Sequence, residues 1–296
     1  MDRFAISHRM MTVIIEHYRL TSALMRSDFN LTYSGLSTLT TLLEYTEAVP
    51  TPWLCDYLML ERKTVWNVLL KLEDRGLIAK EANPIDGRTM LLSLTPEGRV
   101  VSERTNEALA AFVRERFLAS LQDEEFFEFM RDSSRESCDI LRGHSMPTLA
   151  AAPNQSHFFG SSHLLLWRTL ISRWKEALRD NHGPSLSAFR LLDLLDQECE
   201  AQPSGLADTL RLPRSNASLY FRQLIQGGLI RETPSCSDGR YKTVALTKRG
   251  TQEADRLRKI VQSITQKAHR PLSQDGQLVV EAWYARMYVN LLKSDK

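Results

Sequence analysis

Residues 61–98 read ERKTVWNVLLKLEDRGLIAKEANPIDGRTMLLSLTPEG, and three elements follow one another in them. Val65, Val68, Leu69 and Leu72 recur at helical spacing while Arg62, Lys63, Asn67 and Lys71 fall toward another face, which predicts a helix with an apolar back and a basic front. Gly76 supplies the left-handed residue that commonly ends such a helix. Leu77-Ile78 then begins a short strand, Asn83-Pro84 and Asp86-Gly87 are turn formers, and Leu91, Leu92 and Leu94 return as the partner strand of a hairpin with Arg88 at its tip. Thr95, Pro96 and Glu97 stand where an N-cap, a first-turn proline and a first-turn acid belong, so a further helix starts there.

This order resembles the winged helix-turn-helix of the MarR family of bacterial transcription regulators. Leu72 to Ile78 (LEDRGLI) is similar to the end of the family's recognition helix, Asp86 to Arg88 (DGR) to its wing tip, and Leu94 to Gly98 (LTPEG) to the start of its next helix. The three motifs stand in register.

The pattern occurs twice. A shift of 152 residues without a gap places Leu72, Gly76, Leu77 and Ile78 on Leu224, Gly228, Leu229 and Ile230, and Asp86, Gly87 and Arg88 on Asp238, Gly239 and Arg240. Leu94, Thr95 and Gly98 land on Leu246, Thr247 and Gly250, and upstream Leu39, Leu42 and Leu43 land on Leu191, Leu194 and Leu195. A repeat as long as a domain implies two domains rather than a solenoid. The expected division is 1–146 for the first winged copy, 147–156 for a linker and 157–296 for the second copy. The stretch Gly143 to Ser156 (GHSMPTLAAAPNQS) has the small, proline-bearing composition of a linker.

A length of 296 residues suits about two domains. With 43% hydrophobic and 25% charged residues and no apolar run of the ~18 residues that span a membrane, the composition is that of a soluble protein. Met1 to Met11 is interrupted by Asp2, Arg3, His8 and Arg9 and offers no signal peptide, so the expected compartment is the cytoplasm. Cys55, Cys138, Cys199 and Cys236 form no C-x-x-C pair and read as structural or incidental thiols of a reducing compartment. His8 with His17, and His157 with His163, lack the spacing that puts two ligands on one helical face, and no metal or other cofactor is expected. No nucleophile with its base and no phosphate loop is visible, which argues against an enzyme.

The expected fold is mainly α with small β-hairpin wings. Phe4 to Met25 and about Phe158 to Leu178 read as the first helices, Leu36 to Tyr45 and Ala188 to Asp196 as the next. Short helices open at Thr51-Pro52 and Pro203-Ser204, and turns at Met59-Leu60 and Arg211-Leu212 precede the recognition helices. Two long helices close each copy: Gly98 to Arg116 and Glu124 to Arg142, then Gly250 to Lys267 and Gln274 to Leu292.

The resemblance implies that the first and the last two helices of each copy form a dimer interface. Two winged helix-turn-helix domains joined through such helices would make one chain a pseudo-dimer, monomeric in solution, whose recognition helices enter successive major grooves of double-stranded DNA roughly 34 Å apart. Carried over position by position, the family's base-contacting residues are Arg62, Lys63, Thr64 and Asn67 in the first copy and Arg214, Ser215, Asn216 and Ser218 in the second. Arg88 and Arg240 are the wing-tip contacts, suited to a narrow minor groove. Where the family often has arginine, this chain has Asn67 and Leu219, and Leu219 offers only an apolar contact. Many relatives release DNA when a small aromatic or phenolic molecule enters a crevice beside the dimerisation helices. Trp53, Trp66, Trp167 and Trp174 are the residues to line it, core packing being the other reading open to them.

The two heads differ in charge. Glu61 to Arg99 holds seven basic and six acidic residues, net +1, and Pro213 to Thr251 holds seven basic and two acidic, net +5. The function expected is a sequence-specific transcription regulator, usually a ligand-responsive repressor. The alternative is a winged module for ligand sensing or protein interaction that has lost DNA readout, a reading the acid-rich first copy favours.

Overall fold

The computed structural model describes residues 7–45, 47–119, 123–146, 160–198, 200–234, 242–270 and 272–293. The first half runs α1 (His8–Phe29), α2 (Tyr33–Glu44), β1 (Val49–Pro50), α3 (Thr51–Tyr57), α4 (Arg62–Asp74), β2 (Ile78–Ala82), β3 (Met90–Leu94), α5 (Pro96–Val113) and α6 (Asp123–Arg142). The second half repeats that order with α7 (Gly160–Asp180), α8 (Leu186–Glu198), β4 (Glu200–Ala201), α9 (Pro203–Thr209), α10 (Arg214–Gln226), β5 (Ile230–Pro234), β6 (Lys242–Leu246), α11 (Lys248–His269) and α12 (Gln274–Lys293). Both wings are antiparallel hairpins, with Ile78 opposite Leu94 and Ile230 opposite Leu246. The two-residue strands β1 and β4 complete three-stranded sheets in the orders β1-β3-β2 and β4-β6-β5.

The repeated motif has a physical basis. Gly76 and Gly228 take φ of +68° and +66°, a conformation that glycine adopts without a Cβ clash. The Thr95 hydroxyl donates to Gly76 O at 2.6 Å and accepts from Gly98 N at 2.9 Å, so it ties the end of α4 to the start of α5. Thr247 does the same with Gly228 O at 2.7 Å and Gly250 N at 3.0 Å. A Cβ at Gly98 would stand 1.8 Å from Leu77 O, and one at Gly250 1.9 Å from Leu229 O. Each joint therefore excludes side chains where the new helix crosses the strand.

Two compact units make up the chain. The first comprises His17–Thr169, Arg270–Ser273 and Val289–Lys296; the second comprises Met1–Glu16, Leu170–His269 and Gln274–Tyr288. Helices α1 and α7 each contribute residues to both units, so the compact units and the sequence repeats divide the chain differently.

In the first unit Leu36, Leu39, Leu54, Leu69 and Leu92 are wholly buried. The expected helix to Arg116 ends instead at Val113 and passes into a π-helical turn, Arg114–Leu118, with Ala119 at φ +33°. Phe117 and Leu118 are both fully buried, and the wider turn re-phases the chain so that neighbouring side chains can both face the core. Asn290 Nδ2 donates to the carbonyls of Phe117 and Leu118, at 2.8 and 3.0 Å.

The second unit's core gathers Leu191, Leu194 and Leu195 of α8 with Leu206, Leu210, Phe221 and Leu224. Arg190 is buried beside them and donates to Thr12 Oγ1 at 2.6 Å and Leu210 O at 3.0 Å. Burial pulls its guanidinium down to about 10, against the pull of Glu16, which pairs with Arg211 at 3.1 Å. Such charges are tolerated inside because they are hydrogen-bonded.

Candidate nucleic-acid interface

Helices α4 and α10 bury the same register. Val65, Leu69 and Leu72 turn inward from one, Ala217, Phe221 and Leu224 from the other, each residue 152 places from its counterpart. That register leaves Arg62, Lys63, Thr64 and Asn67, and likewise Arg214, Ser215, Asn216 and Ser218, on the exposed side. Neither helix has an acid in its first turn or a side-chain cap at its start, the places where a helix dipole favours negative charge. Arg62 and Lys63 follow the N-cap residue Glu61 in α4, and Arg214 follows Pro213 in α10, so an anion at the start of α10 would meet backbone amides and side-chain charge with no acid beside them.

In the first wing, Asp86 Oδ1 accepts from Arg88 N at 3.1 Å and Thr89 N donates to Asp86 O at 2.9 Å, which shapes the tip and leaves Arg88 exposed. Arg240 and the rest of 235–241 lie outside the described residues, as do Cys199 and the linker 147–156.

Two cations of the first head are engaged within the fold. Arg75 donates to Asn30 O at 2.9 Å and Phe29 O at 3.0 Å. Lys80 pairs with Glu73 at 2.5 Å and sits over the Trp66 ring, 5.0 Å from its centroid. Sequence spacing could not reveal either engagement, because both partners come from other elements.

The four tryptophans have separate surroundings. Trp53 stacks on Tyr57 with centroids 4.9 Å apart and meets the edge of Tyr45 at 4.6 Å. Trp167 is buried in the first unit against His17 and His163, at 4.4 and 4.3 Å. Trp174 is buried in the second unit and donates from Nε1 to Thr265 Oγ1 at 3.1 Å. Trp66 is 50% exposed and borders a cavity of about 370 Å³ between α3, the start of α4 and the wing, where Pro52, Cys55, Arg62, Arg88 and Met90 also lie. Burial pushes the Cys55 thiol up, with Arg62 opposing, and pushes Cys138 up to about 12; both thiols are protonated at neutral pH.

Residues 38–98 match the winged helix DNA-binding domain. This winged helix domain runs from within α2 to the glycine joint of α5 and so contains α3, α4 and the first wing. No curated protein matches the chain. Among solved structures, a mutant MarR from E. coli complexed with operator DNA is 19% identical, covering 39% of this chain and 82% of its own, with a TM-score of 0.35. The transcriptional regulator SlyA is 17% identical, covering 43% and 89%, with a TM-score of 0.40. The PcaV transcriptional regulator from Streptomyces coelicolor is 22% identical, covering 41% and 90%, with a TM-score of 0.33. Among the described residues no group of His, Cys, Asp and Glu is arranged to hold a metal ion, and no helix is long and apolar enough to cross a membrane.

Proposed function

We propose that this chain is a sequence-specific double-stranded DNA-binding transcription regulator that carries two winged heads as a tandem duplication and works as a single-chain pseudo-dimer. The observation that carries the reading is the shared register of α4 and α10: the same three positions are buried, and Arg62, Lys63 and Thr64 are presented where Arg214, Ser215 and Asn216 are. The winged helix match over 38–98 supports it for the first head. For the second head the support is the recurrence of the element order and the glycine joint 152 residues later. The contribution of α1 and α7 to both units agrees with a dimer whose two halves were fused.

Repression by occlusion of a promoter, and release by a small aromatic or phenolic molecule, are the finer parts of the proposal. Among Trp53, Trp66, Trp167 and Trp174, Trp66 borders the cavity beside the wing.

Selection of bound sites from random duplexes, followed by gel shifts across a salt series, tests the function. Tight, sequence-selective and salt-dependent binding is expected. Binding that ignores sequence, or none at all, would instead support the interaction-module alternative. Light scattering of the eluting protein tests assembly, with a mass near 33.9 kDa expected and twice that value against it.

A further inference from the structure

The exposed face of α4 carries a residue that the contact set above leaves out. Trp66 lies one turn beyond Arg62, three residues beyond Lys63 and next to Asn67, and half of its surface is open. Its orientation is held from within the fold. Lys80 covers one face of the ring, its side chain only 8% exposed, and its ammonium is pinned by Glu73. A cation in the head is thus used to set an indole among the residues that face outward.

The second head has no aromatic residue at the matching position. Ser218 stands 152 residues on from Trp66, and its hydroxyl donates back to Arg214 O at 3.0 Å along its own helix. Leu70, 39% exposed one turn after Trp66, is likewise replaced by Arg222. At these two positions the first head presents apolar surface and the second polar groups, and at the neighbouring position the order reverses, Asn67 standing against the 48% exposed Leu219.

We infer that Trp66 is a specificity-determining residue of the first head, making apolar contact with the C5-methyl group of a thymine in its half-site. This rests on the DNA-binding reading above. In the major groove the base edges offer hydrogen-bonding groups and one apolar group, the thymine methyl, so an oriented indole selects thymine over cytosine by what it can cover. Its neighbour Asn67 suits adenine, and the pair would together favour an A·T step. The lower charge of this head, +1 against +5, fits a head that draws less of its affinity from phosphates and more from base edges.

The test uses the full chain and its selected duplex, with each thymine replaced in turn by deoxyuridine, which differs only by the missing methyl. Wild-type protein is expected to bind about fourfold more weakly at one or two such positions, the factor that corresponds to one methyl group withdrawn from water. Trp66→Ser, which installs the second head's residue at an exposed site, should lose that discrimination while keeping the melting temperature and the salt slope. Trp66→Phe should retain part of it. A wild type indifferent to every deoxyuridine, or a Trp66→Ser variant that discriminates as the wild type does, would overturn the inference and leave the regulator reading standing. Absence of selective duplex binding in the wild type would remove both.

Discussion

At the residue scale, single atoms explain why the repeated motif has the letters it has. Gly98 is required by the 1.8 Å approach of a would-be Cβ to Leu77 O. Gly98→Ala should cost about 1–3 kcal/mol or more in urea unfolding, whereas Gly87→Ala, with nothing within 4 Å of its Cβ, should stay within about 0.5 kcal/mol. Two buried titrations of the first unit work in opposite directions. Glu44 takes hydrogen bonds from the Ser161 amide and hydroxyl, yet burial raises its carboxyl to about 7. Between 4.5 and 7 the folded state binds more protons than the unfolded one, so this group lowers stability as pH rises, fully so above 7. Glu44→Gln should gain up to about 3 kcal/mol over wild type at pH 8 compared with pH 4. His17 is pulled down to about 3 by burial. There the unfolded state binds more protons, and its contribution is complete above about 6.5 and lost as pH falls toward 3. His17→Phe should therefore gain about 2 kcal/mol over wild type at pH 5 compared with pH 8. Failure of the two variants to tilt the stability–pH curve in opposite senses would mean that these burials do not set it.

At the element scale, the two heads share a scaffold and differ in charge and termination. The helix after the first wing breaks into a π-helical turn, while α11 runs unbroken to His269. The first head has Lys80 and Arg75 engaged internally and the second has Lys242 paired with Glu232 at 2.7 Å, beside net charges of +1 and +5. Arg240→Ala should weaken DNA binding more than Arg88→Ala, and Arg214→Ala more than Arg62→Ala. Each substitution at a phosphate contact should lower the salt slope by roughly 1. Equal losses across each pair would show that local charge does not determine which head dominates.

At the scale of the whole molecule, the proposed function gives the two unlike exposed faces of one chain a consequence for the duplex it would bind. A homodimer meets both half-sites with identical side chains and favours palindromes. Here Arg62-Lys63-Thr64 with Asn67 stands on one helix and Arg214-Ser215-Asn216 with Leu219 on the other. The natural operator should be an imperfect palindrome bound in one orientation, with each good bidentate contact giving roughly 1–3 kcal/mol of discrimination. Binding of perfect palindromes built from either half, measured at one salt concentration against the natural site, decides it; equal affinity for all three would mean that the heads read alike.

The order of helices, both hairpins and the Thr95 and Thr247 caps follow from the sequence by itself, because each depends on spacing or on a residue's own backbone preference. Gly76 ends its helix for the same local reason that it could be read. The strands β1 and β4 were not legible, since two residues carry no periodicity and pair only because β3 and β6 pass beside them. Nor was the π-helical turn, which answers to the burial of Phe117 and Leu118 rather than to any preference of RERFL. Trp66 and Trp167 look alike in the sequence, yet one is half exposed under Lys80 and the other buried between two histidines. Partners distant along the chain decided that, and with it which tryptophan the solvent-facing surface of the head presents.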